Sequence, residues 1–273
     1  MPSPAHPWRF LDTGARPGAF NMEFDEMLAR NLCTGGGDST LRLFRWQPWA
    51  ISLGYNQGID SLNAGSCARA GIDIVRRPTG GRAILHAEEL TYSLVMEAGR
   101  RSILQVYNDI SRALVCGLRL FGVEVTLQKS QPNFREGYQH ASSIPCFTTS
   151  ARYEIEWHGR KLVGSAQRRF DDGEHDVVLQ HGSILCGPAH KKLAEYLNVP
   201  GEALRKSLCD ELDRKTVDLA EIRGGPVEVA ELADCIRRGF EEEWNIRFAP
   251  SSLPGTLAGE TVDNDHRISG DAE

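Results

Sequence analysis

Residues 72 to 96 constrain the chain most. Ile72-Asp73-Ile74-Val75 is β-branched and bounded by Gly71 and Pro78, which reads as a short buried strand. Leu90 to Met96 reads as another. Between them run Arg76-Arg77-Pro78-Thr79-Gly80-Gly81-Arg82-Ala83-Ile84-Leu85-His86. Two arginines, a threonine and paired glycines make a loop whose backbone N–H groups can face an anion or a carbonyl. Arginine suits that use because its planar fork donates several hydrogen bonds in fixed geometry. Taken alone, the stretch reads as a tight turn with solvated arginines.

The flanking sequence repeats the strand-and-turn pattern. Thr40 to Trp46 and Ala50 to Gly54 are strand-like, with Gln47-Pro48 as a hairpin connection, and Val123 to Leu127 is strand-like again. Strands around His158-Gly159 form a further hairpin, which sets Lys161 opposite Glu156; Val177 to Leu185 supplies another strand and Ile246 to Phe248 a closing one. Helical periodicity covers 19 to 32, with Phe20, Phe24, Met27, Leu28 and Leu32 on one face. Gly35-Gly36-Gly37 ends that helix, and a phosphate role for those glycines is the weaker reading. The same periodicity predicts helices over 102 to 121, burying Ile103, Val106, Ile110, Leu114 and Leu118, near 189 to 197, and over 227 to 244. Consecutive strands with hairpin turns favour an α+β fold, a mixed, largely antiparallel sheet flanked by helices, over a doubly wound parallel sheet.

Residues 1–248 read as one domain and 249–273 as an acidic, disordered tail. Glu260, Asp263, Asp265, Asp271 and Glu273 face Arg267 alone there, so −4 of the net −6 sits in the tail. That charge gives no support for a nucleic-acid or anionic-membrane partner. No apolar run approaches the ~20 residues of a membrane span, and Met1 to Pro7 lacks the features of a signal peptide. Seven widely spaced cysteines without a C-x-x-C pair argue against a disulfide framework and for a reducing cytoplasm. Cys116 and Cys235 fall in helical patterns and read as small buried hydrophobes. His181, Cys186 and His190 are metal-like in type, yet no second Cys/His pair completes a site, so they read as structural or solvated and no metal is expected. Gly159 and Gly164 have P-loop spacing, but Ser165-Ala166 follows where Lys and Ser or Thr are required. Residues 128 to 150 lack periodicity, and a long irregular loop inside a compact domain is often functional.

Three ordered blocks carry a family resemblance. They are the Arg76–His86 stretch, then Pro145-Cys146-Phe147 with Tyr153 to Arg169 around Gly159-Arg160-Lys161-Leu162-Val163-Gly164-Ser165-Ala166, then Leu179-Gln180-His181-Gly182-Ser183. Over about residues 20 to 200 the chain resembles the catalytic domain of the lipoate–protein ligase and octanoyltransferase superfamily, whose fold is shared with biotin–protein ligases. The resemblance implies that Cys146 occupies the position of the acyl-accepting thiol of the cysteine-dependent octanoyltransferases. Lys161 is its natural partner. A thiol of pKa ~8.5 is mostly protonated at neutral pH, and a nearby ammonium favours the thiolate and can also meet charge developing on a thioester carbonyl. A straight strand would hold Cys146 and Lys161 ~30 Å apart, so either residues 147 to 151 bend back or the pairing is wrong.

The resemblance further implies an acyl site lined by Arg76, Arg77, Thr79, Gly80, Gly81, Gly164, Ser165 and Ala166. His86 matches a family histidine, and there a structural hydrogen bond and proton transfer are equal readings. The donor implied is octanoyl-acyl carrier protein, the acceptor a lysine of a lipoyl domain or glycine-cleavage H protein, with no cofactor. Arg82 stands where many ligases of the superfamily carry a third glycine, and no accessory domain follows the resemblance, which favours octanoyltransferase. The alternatives are an ATP- and Mg-dependent lipoate ligase or its catalytic half, a lipoyl-domain amidotransferase, and a non-catalytic lipoyl-domain binding protein.

Overall fold

A computed structural model of the chain describes residues 8–128 and 154–249. Eleven strands and six α-helices are described. In chain order they are β1 (Trp8–Arg16), α1 (Gly18–Cys33), β2 (Thr40–Trp46), β3 (Ala50–Leu53), α2 (Ala64–Arg69), β4 (Asp73–Arg76), β5 (Ile84–His86), β6 (Glu89–Glu97), α3 (Ile103–Leu120), β7 (Thr126–Gln128), β8 (Glu154–Trp157), β9 (Arg160–Asp171), β10 (Asp176–Leu185), α4 (Glu202–Lys215), α5 (Leu219–Arg223), α6 (Val229–Trp244) and β11 (Phe248–Ala249). A three-ten helix, Pro188–Tyr196, links β10 to α4.

Eight strands form the main sheet in the order β11-β1-β2-β6-β10-β9-β8-β7. β1 runs parallel to β2 and β11, and the remaining neighbours are antiparallel. A second sheet, β4-β3-β5, carries the loop that follows Arg76. The fold class is therefore the α+β arrangement expected. One connection is not: β2 and β3 belong to different sheets and do not pair as a hairpin. Both runs are short and mostly apolar, and such runs carry no signal of which neighbour they pair with.

Strand alternation sorts the main sheet into two faces. Leu41 pairs with Leu94 and Leu43 with Tyr92, and these pack into the large core with Val106, Ile110, Ala113 and Leu114 of α3 and Phe240 of α6. α3 starts at a capping box, Ser102 with Gln105. It lies against α6 at glycine-to-glycine range: a Cβ on Gly239 would fall 2.3 Å from the Gly117 nitrogen, and one on Gly117 2.7 Å from the Ile236 Cα. Ile103, expected inside, is 55% exposed, because it sits in the first turn, outside the interface. The opposite face carries Arg42 opposite Ser93 and is covered by α1. α1 begins behind Pro17, ends at Thr34 before Gly35 (φ 77°), and buries two polar residues, Asn21 and Asp25, beside Met22 and Phe24.

Candidate active site

The loop after β4 is held by its own arginines. Arg77 is buried and folds back: Nε and Nη2 donate to the Gly80 carbonyl (3.2 and 2.9 Å), Nη2 to the Arg82 carbonyl (2.7 Å), and Nη1 to Ser52 O (3.0 Å) and Oγ (3.1 Å). Arg76 Nη1 reaches the carbonyls of Gly54, Tyr55 and Gln57 at 2.7 to 3.0 Å. The loop also lies on Gly54, where a Cβ would stand 2.1 Å from the Gly81 carbonyl oxygen, so only glycine admits this approach. These arginines are therefore fasteners of the loop rather than solvated side chains.

Two buried histidine–carboxylate pairs stand below the loop. Thr79 Oγ1 lies 2.6 Å from His181 Nε2, and His181 Nδ1 lies 3.2 Å from Asp25 Oδ2. Asp25 also takes Arg42 Nη1 (2.7 Å) and the Ser93 hydroxyl (2.6 Å) on Oδ1. Burial pushes the Asp25 carboxyl up, but Arg42, His181 and Ser93 together outweigh it and hold it below the usual range. Burial dominates at His181, whose imidazole is held below its ordinary value despite Asp25. The second pair is His86 with Glu89: Nδ1 lies 2.8 Å from Glu89 Oε1, and Nε2 lies 2.7 Å from Ser52 Oγ. Glu89 Oε1 also accepts the hydroxyls of Thr91 (2.6 Å) and Ser183 (2.8 Å), and these with His86 bring the carboxyl down against the upward push of burial. Trp46 stacks on the His86 ring at 4.0 Å and donates to Thr91 (2.8 Å). Ser52 thus joins His86 to Arg77, so the second pair is wired to the glycine loop.

Arg77, His86, Gly164, Ser165 and Ala166, all singled out from sequence, line one narrow cavity of about 20 Å³ together with Met22, Trp46, Ile84, His181 and Ser183. That space is the size of a single water; an acyl chain requires its walls to part. Ser165 is fixed by Tyr92, whose hydroxyl lies 2.7 Å from Ser165 Oγ and accepts Gln180 Nε2 (2.9 Å). Burial pushes the Tyr92 phenol up to about 12, so it stays protonated at neutral pH. Thr79 reaches the cavity through His181. Gly80 and Gly81 are exposed in the loop. Arg76 points into an adjoining recess of about 150 Å³ with Arg30, Tyr55 and Arg168.

Lys161 does not line that cavity, but it lies on the same face of β9. Val163 pairs with Ile155, and Lys161 pairs with Glu156, as the hairpin predicted, across a register shift. Ile155 and Glu156 are adjacent and point to opposite faces, so the bulge turns Lys161 away from Val163 and onto the side of Gly164 and Ala166. Three residues along a strand is ~10 Å. The ammonium is buried and pairs with Glu154 Oε1 at 2.5 Å, both side chains at most 6% exposed. The Lys161 backbone is held by Val217 N–H (3.1 Å) and bridges Thr216. Cys146 lies outside the described residues, as does the bend that would bring it to Lys161.

Other sequence readings resolve into packing. Among the metal-like residues, His190 bonds Thr216 (2.7 Å) and Gly187 O (3.2 Å), Cys186 leans on Ile184 O, and His181 serves Thr79 and Asp25, all structural contacts. Cys235 is buried, whereas Cys116 is part-exposed beside Glu242. No described helix is long and apolar enough to cross a membrane. Asp25, Trp46, Ser52, Glu89 and Glu154 were not picked out from sequence. The available signals were a carboxylate four residues after Asn21 on the inner face of α1 and Glu89 three residues after His86.

Residues 17–241 match the family model described as the lipoyl protein ligase A/B catalytic domain. The octanoyltransferase LipM of Symbiobacterium thermophilum is 37% identical over 254 residues, covering 90% of this chain and 89% of that protein. The octanoyltransferase LipM of Bacillus subtilis is 32% identical, over 90% of this chain and 89% of that protein. Among solved structures, the bipartite lipoate protein ligase of Thermoplasma acidophilum, described with its E2 lipoyl domain, superposes with a TM-score of 0.70 at 20% identity, over 92% of this chain and 88% of that one. A lipoate-protein ligase A bound with ATP gives 0.70 at 21% identity, over 91% and 90%. The chain belongs to the lipoyl protein ligase A/B catalytic domain family.

Proposed function

We propose that this enzyme, an octanoyltransferase of protein lipoylation, carries its acyl group on Cys146 and takes it from octanoyl-acyl carrier protein. One observation carries the reading. Five residues predicted for the acyl site line one cavity, with Lys161 turned to the same face, in a chain 37% identical over 90% of its length to an octanoyltransferase. The Cys146 thiolate attacks the thioester carbonyl; a carbon–sulfur bond to the enzyme forms and the bond to the phosphopantetheine sulfur breaks. The free amine of a lysine on a lipoyl domain or glycine-cleavage H protein then attacks the new thioester. The amide forms, the nitrogen gives up a proton, and the Cys146 sulfur leaves as thiolate and is available again. Thioester to amide is downhill, so no ATP enters.

The chain's own residues act by positioning. Arg77, tied through Ser52 to His86 and Glu89, holds the Thr79–Arg82 loop against the cavity. Tyr92 holds Ser165 in the opposite wall. Lys161 supplies a fixed positive charge for the thiolate and for the oxyanion of each addition step. No cofactor is part of this reading, and the cytoplasm is its compartment.

Intact mass after incubation with octanoyl-acyl carrier protein tests it. The expected result is an adduct of one octanoyl group, absent in Cys146→Ala, which also loses transfer, and retained when any other cysteine is replaced. The ligase fold of the solved neighbours gives the contrary outcome its form. If free octanoate or lipoate with Mg-ATP supports transfer, with AMP released and Cys146→Ala active, the chain is an ATP-dependent ligase.

A further inference from the structure

Lys161 is one of three buried charged residues at the β8–β9 hairpin, and the other two are carboxylates. Glu154 and Glu156 alternate on β8 and so share a face, and Glu156 is the direct cross-strand partner of Lys161. Glu154 is 4% exposed, Glu156 8% and Lys161 5%. A regular strand would have turned Lys161 to the face of Ile155 and Val163; the bulge brings it to the carboxylates instead. Its backbone is clamped on the other side by Val217 and Thr216, so the side chain meets Glu154 from a fixed base.

We infer that Glu154 is the positioning residue of Lys161, fixing the ammonium in place and in its charged form for the acyl-transfer step. This deepens the reading of Lys161 given above and rests on it. The argument is one of alternatives. A lysine acting as a base must shed its proton, and a carboxylate 2.5 Å away in a dry site opposes that. A lysine acting as a charge must stay protonated and still, and a short, buried, charge-assisted bond secures both. Glu156 is the reserve of negative charge across the strand. Burial first, and then Glu154, push its carboxyl up, while Lys161 pulls it down. Among the described residues the α4–α5 connection presents the uncharged Thr216 here, with Asp218 turned to capping α5. β7 presents Thr126 opposite Glu156.

The test is a double-mutant cycle on octanoyl transfer, followed from roughly pH 6 to 9. Glu154→Gln keeps size and removes charge. It is expected to lower kcat by about tenfold or more with KM for the acyl donor little changed. It is also expected to move the alkaline limb of the pH–rate profile to lower pH, because Lys161 then gives up its charge sooner. The variant carrying both Glu154→Gln and Lys161→Ala should be no slower than Lys161→Ala alone, as for residues that act through one another. Glu154→Asp, which keeps the charge, should recover most of the rate and the wild-type limb, and stands in if Glu154→Gln fails to fold. Wild-type rate and limb in Glu154→Gln, or losses that multiply in the double variant with the limb unmoved, overturn the inference. Wild-type transfer by Lys161→Ala instead removes Lys161 from the proposed function, a separate failure read from a separate variant.

Discussion

Asp25 is the residue on which most of the buried polar structure converges. It takes Arg42, Ser93 and His181, and through His181 it reaches Thr79 of the glycine loop. Arg42 has no exposed surface; it also contacts Asn21 and Thr13 and lies on the Phe44 ring at 3.9 Å. Deleting one partner of such a pair leaves a buried charge without its counterion. Asp25→Ala is therefore expected to lose about 3–5 kcal/mol of unfolding free energy, measured by urea denaturation. A loss below about 1 kcal/mol would show that Arg42 is satisfied without it. Little of this was legible. A carboxylate on a helix is ordinarily a solvated residue, and only its spacing from Leu28 and Leu32 put it on the inner face. The pairing of Lys161 with Glu156 was legible but not the face its side chain takes, because a bulge is a property of pairing that single-strand alternation does not encode.

At the scale of elements, α3 and α6 meet where neither helix has a side chain. The Gly239 Cβ position lies 2.3 Å from the Gly117 nitrogen and 2.7 Å from Ala113 O, all backbone, so nothing flexible can give way. Gly239→Ala should force the helices apart at a cost of roughly 1–3 kcal/mol, seen as a lower urea midpoint with an unchanged m-value. An unchanged midpoint would mean that the helices slide past the clash. The amphipathic periods of both helices were readable because each buries one stripe. β10 was readable as a largely apolar run buried on both faces, and the 158–159 turn from its glycine, which the positive φ at His158 and Gly159 bears out. β1 and α4 were not. β1 mixes apolar residues with Asp12, Thr13 and Gly14, and α4 buries only Leu208 and Leu212, too few for a period to show. β2 and β3 were located but wrongly paired, since β2 pairs with β1 and β6 and β3 with β4 and β5, none of them the next strand of a hairpin.

For the whole molecule, two buried neutral histidines set the response to acid. Burial holds His181 below its ordinary 6.5 and His190 at about 4. The unfolded chain binds protons on both near pH 6.5, while the folded chain does not until lower pH. Their contribution is complete above that value and is lost as pH falls toward the folded values. His190 alone should lower the unfolding free energy by up to about 1.4 kcal/mol per pH unit between roughly pH 6 and 4.5, and His181 adds to the loss in the same direction. The lowered carboxyls of Asp25 and Glu89 extend the loss below about pH 4. Urea titrations across this range check the slope, and His190→Gln should remove the share that His190 supplies. A slope unaffected by His190→Gln would assign the acid response elsewhere.

The pairing of β1 between β2 and β11 has a consequence for synthesis on the ribosome. Trp8 pairs in register with Phe248 and packs edge-on against Trp244, so the start of the first described strand, Trp8 and Arg9, waits for the last strand before its outer edge is covered. Until residues 244 to 249 have left the exit tunnel, the nascent sheet presents an open strand edge, the kind of surface on which chains join one another. Those few residues act as a closure fitted last, and translation that stops short of them leaves the Trp8–Arg9 end of the sheet edge bare.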